Sequence, residues 1–146
     1  MKQRIRPIAL SVFANNGRIL VSDSIDSVGG RSFHRPLGGG IEFGELAEEA
    51  IVREIREELD QEITDVTLLG VLESRFTYEG RPRHELIFAF DARFVDESIY
   101  DLVEIVGIEA DGSHIQAHWR EWATDAVPLY PEGLTTLLEQ ADRIPG

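Results

Sequence analysis

Cysteine is absent from this chain of 146 residues, which excludes disulfides, thiolate nucleophiles and zinc–sulfur centres. Positive charge is scarce: 14 Lys and Arg stand against 27 Asp and Glu, a net charge of −13. Phosphate backbones attract basic surfaces, so this balance argues against a general binder of polymeric nucleic acid. A small phosphate-bearing molecule stays open, provided that a metal ion supplies positive charge. Long apolar runs are missing too, and no stretch approaches the roughly 20 residues of a membrane span. Met1-Lys2-Gln3-Arg4-Ile5-Arg6 alternates charge with apolar residues and lacks the apolar stretch of a signal peptide. The expectation is a cytoplasmic protein with no membrane partner. Repeats, low-complexity tracts and linkers are also lacking, so one domain over residues 1–146 is expected. An apolar share of 42% supplies one real core.

The apolar pattern divides that domain into elements. Arg6 to Phe13 and Arg18 to Ser22 are apolar, β-rich runs around Ala14-Asn15-Asn16-Gly17, which predicts a β-hairpin. Asp26 to Ser32 is a loop before a short strand at Phe33 to Leu37, which Gly38-Gly39-Gly40 is expected to break. From Leu46 to about Leu59 the pattern is helical, with Ile51, Ile55 and Leu59 at i, i+4, i+8. Thr64–Ser74 and His84–Phe94 read as strands, as do Val103–Ile108 and Ile115–Trp122 around an Asp111-Gly112 turn. Leu134, Leu137, Leu138 and Ala141 mark the buried side of a last helix. Strands and two helices without regular βαβ alternation predict an α+β fold, a mixed sheet packed against helices.

Charge is concentrated in one place. Residues 42–62 hold nine acidic side chains and two arginines, −7 of the −13. Glu54, Glu57 and Glu58 stand at i, i+3 and i+4, so a helix projects all three toward one side. Carboxylates about 5–6 Å apart repel by roughly 3 kcal/mol at an effective dielectric near 20, or under about 1 kcal/mol in full solvent. The helix either carries that strain or holds a cation, and clustered oxygen ligands suit Mg²⁺, Mn²⁺ or Ca²⁺. The triple glycine ahead of the helix is not a P-loop, since no Lys-Ser or Lys-Thr follows it. A flexible backbone beside a carboxylate-rich helix nonetheless offers carbonyls and amides to a metal–phosphate complex.

Gly39, Glu45 and Arg53-Glu54-Ile55-Arg56-Glu57-Glu58 fall at the spacing of the Nudix box, and the sequence closely resembles a Nudix hydrolase. Asp60 and Gln61 depart from it, standing where Gly and an apolar residue are usual. A left-handed helix exit at Asp60 costs some energy but leaves the carboxylates in place. The resemblance implies an α/β/α sandwich and hydrolysis of a nucleoside diphosphate linked to another moiety, with Mg²⁺ or Mn²⁺. It implies Glu54, Glu57 and Glu58 as metal ligands, with the Gly39 carbonyl added, and Gly40 beside the substrate. Arg53 would orient a box carboxylate, with Glu45 as its partner.

Glu54 is the first candidate for general base, and Glu85, outside the box, is the second. Arg35 and Arg75, with Arg81 and Arg83, flank the expected cleft. Phe33, Phe76, Tyr78 and Trp119 are candidates for stacking a base or for core. His34, His114 and His118 show no ligand spacing and are read as surface or sheet residues, and His84 as a polar strand start. Family habit admits a homodimer. Two other readings stand beside the hydrolase: a Nudix-fold binding module without catalysis, and an acidic interaction domain with an accidental box match.

Overall fold

The computed structural model describes residues 3–122 and 127–141; Met1 and Lys2 of the opening run lie outside that range. The chain forms β1 (Ile5–Val12), β2 (Ala14–Asn15), β3 (Arg18–Asp26), β4 (Arg31–Arg35), β5 (Leu37–Gly40), α1 (Ala47–Leu59), β6 (Ile63–Tyr78), β7 (Arg81–Phe94), β8 (Glu104–Ile108), β9 (His114–Glu121) and α2 (Leu134–Ala141). A 3₁₀ turn, Glu97–Asp101, links β7 to β8 and was not visible in the sequence pattern.

The strands divide into two sheets rather than one. A mixed sheet runs β5-β1-β7-β6, with β1 and β7 parallel. An antiparallel sheet runs β2-β3-β9-β8, with β4 added beside β3. The hairpin expected between the first two apolar runs is therefore corrected: only the short β2 pairs with β3 around Asn16-Gly17, while β1 belongs to the other sheet.

Alternation along the strands sends side chains to two apolar layers. Ala9, Phe13, Leu20 and Phe90 pack with Ile51, Ile55 and Leu59 of α1. Val12, Ile19, Val21 and Ala89 pack with Leu134 and Leu138 of α2. The two helices thus cover opposite faces of the strands, an α/β/α sandwich. Ile51 and Ile55 are fully buried, as the helical period requires.

Two local findings position the site. The triple glycine does not end a strand. Gly38, Gly39 and Gly40 pair with Leu10, Ala9 and Ile8 as β5, and the break falls earlier, at Pro36, which has no N–H to give. At the other end of α1, Asp60 adopts the left-handed conformation (φ 55°, ψ 42°), and its N–H donates to the Arg56 carbonyl. Asp there does the work expected of glycine. Helix α1 begins at Ala47, one residue later than expected. Leu46 is extended, and its N–H donates to Glu49 Oε1 at 2.8 Å.

Candidate active site

The N-terminal half of α1 is tied to the glycine strand by one side chain. Arg53 donates to Glu45 through Nε (2.7 Å) and Nη2 (2.9 Å), and to the Gly40 carbonyl through Nη2 (3.0 Å). Its Nη1 donates to Glu54 Oε1 (3.0 Å) and Glu57 Oε1 (2.7 Å). A fork of rigid donors holds loop and helix in one register. The guanidinium contact holds the Glu45 carboxyl down to about 2. The pairing of Arg53 with Glu45 is as the sequence suggested.

The three box carboxylates are not equivalent. The Glu57 side chain is 55% exposed and points to Arg53. Glu54 is 17% exposed, and burial raises its pKa even with Arg53 beside it. Glu58 is buried, and its pKa is pushed up to about 9, first by loss of solvent, then by Glu109 and Glu54. One oxygen of Glu58, Oε1, is buried with no hydrogen-bond partner. A buried acceptor surrounded by like charge is costly unless a cation meets it.

Glu109 is the carboxylate that sequence reasoning missed. It follows β8 in the loop before β9, about fifty residues from the box, and no periodicity connects it to α1. Gly107 brings it there: a Cβ at that position would meet the Glu58 carbonyl at 2.3 Å and Leu59 Cδ2 at 2.7 Å. Only glycine lets β8 lie this close to the end of α1. Gly39 serves the same end on the other side, where a Cβ would stand 2.5 Å from the Glu54 carboxyl carbon.

A cleft of about 390 Å³ opens beside Glu58 and is lined by Gly38, Gly39, Gly40, Arg35, Arg6, Glu85 and Glu109. Arg35 is thus where the sequence placed it. Arg75 is not: it is exposed on β6 and lines neighbouring grooves instead. Glu85 is buried in the cleft wall, where Tyr130 donates its hydroxyl to Oε1 and Arg6 Nη1 lies 3.6 Å from Oε2. Burial and Glu85 together raise the Tyr130 pKa. Tyr130 arrives because residues 128–130 bond to β4, His34 N–H to the Pro128 carbonyl and Tyr130 N–H to the His34 carbonyl, each 2.8 Å. It forms an aromatic cluster with Phe33 and Phe76, and Phe33 meets Tyr78 edge-on. Trp119 is elsewhere, stacked on Tyr100, with Nε1 donating to the Leu102 carbonyl. His84 bonds to Glu73 at 2.7 Å, away from the cleft.

His34 and His118 are sheet residues, on β4 and β9, as the sequence reading had them, and the two converge in space. Both Nε2 atoms reach Asp23 Oδ1, at 2.8 and 3.1 Å, and the three donor atoms lie close enough to share a cation. Arg120 Nη1, however, lies 3.2 Å from His34 Nδ1. A guanidinium only donates, so Nδ1 accepts and the proton sits on Nε2, aimed at Asp23. That tautomer belongs to a hydrogen-bonded cluster, not to an Nε2 metal ligand. His114 lines the cleft rim without joining it.

Comparison with known proteins agrees with this geometry. The NUDIX domain pattern matches residues 2–126. The chain belongs to the NUDIX family and is a Nudix-type pyrophosphohydrolase. Among solved structures it is similar to a MutT NUDIX hydrolase from Burkholderia pseudomallei, with 25% identity over 94% of this chain and 98% of that one, TM-score 0.68. It shares its fold with an ADP-ribose pyrophosphatase from Streptococcus suis at 14% identity, covering 98% of this chain and 96% of that one, TM-score 0.60. A UDP-X diphosphatase shares the fold at 17% identity, covering 98% of this chain and 65% of the other, TM-score 0.63. Among the described residues no helix is long and apolar enough to cross a membrane.

Proposed function

We propose that this enzyme hydrolyses the anhydride of a nucleoside diphosphate linked to a further moiety, with Mg²⁺ or Mn²⁺ held by Glu54, Glu58 and Glu109 and the Gly39 carbonyl. The observation that carries the reading is the unpartnered, buried Glu58 Oε1 between two further carboxylates. Oxygen-only donors of this kind fit hard divalent cations. Bound there, such an ion would neutralise phosphate charge and make the attacking water more acidic.

The chain's own residues supply the remaining roles. Arg53 is a positioning residue: it fixes Glu54 against the glycine strand and takes up Glu57, which therefore acts through Arg53 as well as by its charge. Arg35, with Arg6, faces the phosphates, and the backbone of Gly39 and Gly40 approaches them without a side chain intervening. Water attacks phosphorus, the bond to the bridging oxygen breaks, and the leaving phosphate takes the electron pair. The proton of that water passes to a carboxylate, and Glu54 is our choice. Glu85 is less suited as a base because Tyr130 and Arg6 already engage its oxygens. It shapes the cleft wall instead.

The test is a panel of nucleoside triphosphates, ADP-ribose, nucleotide sugars and dinucleoside polyphosphates with Mg²⁺ or Mn²⁺, following phosphate, pyrophosphate and nucleoside monophosphate. Hydrolysis of at least one class at the anhydride is expected. Folded, metal-binding protein inactive on all of them would overturn the hydrolytic reading in favour of a binding module.

A further inference from the structure

The basic residues of this acidic protein are not scattered. β1 and β7 run parallel with Arg6 opposite Glu85, and β6 pairs with β7 so that Phe76 faces Arg83 and Tyr78 faces Arg81. Cross-strand partners share a face and residues two apart share a face. Arg81, Arg83 and Glu85 therefore lie on one side of β7, with Arg6 beside Glu85 on β1 and Arg4 two residues before it. Glu85 faces the cleft, so this row of guanidinium groups continues the cleft wall outward.

The cavities follow the row. Arg6 lines both the cleft and an outer groove of about 820 Å³, whose wall also holds Arg4, Arg81 and Arg83. A small pocket of about 120 Å³ joins them, with Arg6, Arg35 and Arg83 in its lining. Of the acidic groups near the groove, Glu79 takes the Ser27 N–H and hydroxyl, and Glu85 takes the Tyr130 hydroxyl and lies 3.6 Å from Arg6 Nη1. Arg83 is held over the Tyr78 ring, 5.7 Å from its centroid, which fixes its plane without neutralising its charge. Like charges this near one another repel, and guanidinium forks match phosphate oxygens.

We propose that Arg4, Arg6, Arg81 and Arg83 form a subsite for phosphate groups that a substrate carries beyond the cleaved anhydride. The preferred substrate is then polyphosphorylated, not a diphosphate ending in a neutral sugar. The inference deepens, and rests on, the reading of the carboxylate cluster as the hydrolytic centre. Its ligand class is the phosphate chain itself, whichever nucleoside it bears.

Two measurements on the full chain test it. Inorganic tripolyphosphate is titrated calorimetrically with EDTA present, against wild type and Arg81→Gln/Arg83→Gln, with thermal midpoints as the check on folding. Both positions are on the groove surface, so folding is expected to hold. Wild type should bind, more weakly as salt rises, and the double variant should bind at least about tenfold more weakly. The second measurement is the ratio of kcat/KM for a dinucleoside tetraphosphate over that for ADP-ribose. This ratio should fall at least about tenfold in the variant, through KM. Absence of tripolyphosphate binding, or equal losses on both substrates, overturns the subsite. Binding that depends on Arg81 and Arg83 in a protein that hydrolyses neither substrate upholds the subsite and refutes the hydrolytic reading. ADP-ribose hydrolysis without tripolyphosphate binding does the reverse.

Discussion

Glu58 is the residue on which the proposed chemistry turns, through its buried, unpartnered Oε1. Its carboxyl binds a proton more tightly in the folded chain (about 9) than in the unfolded one (near 4.5), because burial and neighbouring carboxylates oppose its charge. Protonation therefore contributes stability that is complete below the unfolded value and lost as pH rises through the folded one. Metal-free wild type should lose thermal midpoint between about pH 5 and pH 9 relative to Glu58→Gln, which keeps the shape without the charge. Thermal melts in EDTA across that range check this, and parallel curves for the two proteins would contradict it. Glu54→Gln should cost turnover by about 10²–10⁴-fold if Glu54 takes the proton. Glu85→Gln should cost far less, and initial rates at saturating Mg²⁺ compare them. Gly39→Ala places a methyl group against the Glu54 carboxyl and should lower turnover at least about tenfold, with a stability cost of about 1–3 kcal/mol.

At the scale of elements, the contact between β8 and α1 carries the fourth carboxylate. Gly107→Ala should push the strand off the helix end and carry Glu109 with it, at a cost of about 1–3 kcal/mol in chemical denaturation and with weaker Mg²⁺ binding. Weakened folding with metal affinity unchanged would show that Glu109 is not part of the metal set.

The elements also show what a sequence carries. α1 was legible because Ile51, Ile55 and Leu59 repeat at the helical period, and the same period fixed the neighbourhood of Glu54, Glu57 and Glu58. The glycine strand was misread, since Gly38-Gly39-Gly40 has no side chains to alternate and pairs with β1 by close approach alone. Glu109, Gly107 and Tyr130 were missed because each reaches the site from a distant segment. Asp23 and His34 meet only as cross-strand partners on β3 and β4, so their cluster was invisible until the register was known.

Over the whole molecule, charge is divided rather than balanced. The carboxylates of α1 and the β8–β9 loop stand at one end of the cleft, the arginines of β1 and β7 at the other. In the proposed reading an elongated anion with its metal would bridge that division, beside the aromatic cluster of Phe33, Phe76 and Tyr130. The central claim is that the carboxylate end holds the divalent ion on which hydrolysis depends. The most direct test is turnover across a Mg²⁺ titration, wild type beside Glu58→Gln, on whichever substrate the panel identifies. The account predicts no turnover in wild type without metal, and in the variant a titration displaced to higher Mg²⁺ with a lower plateau. Near-normal turnover by Glu58→Gln at ordinary Mg²⁺ would contradict it.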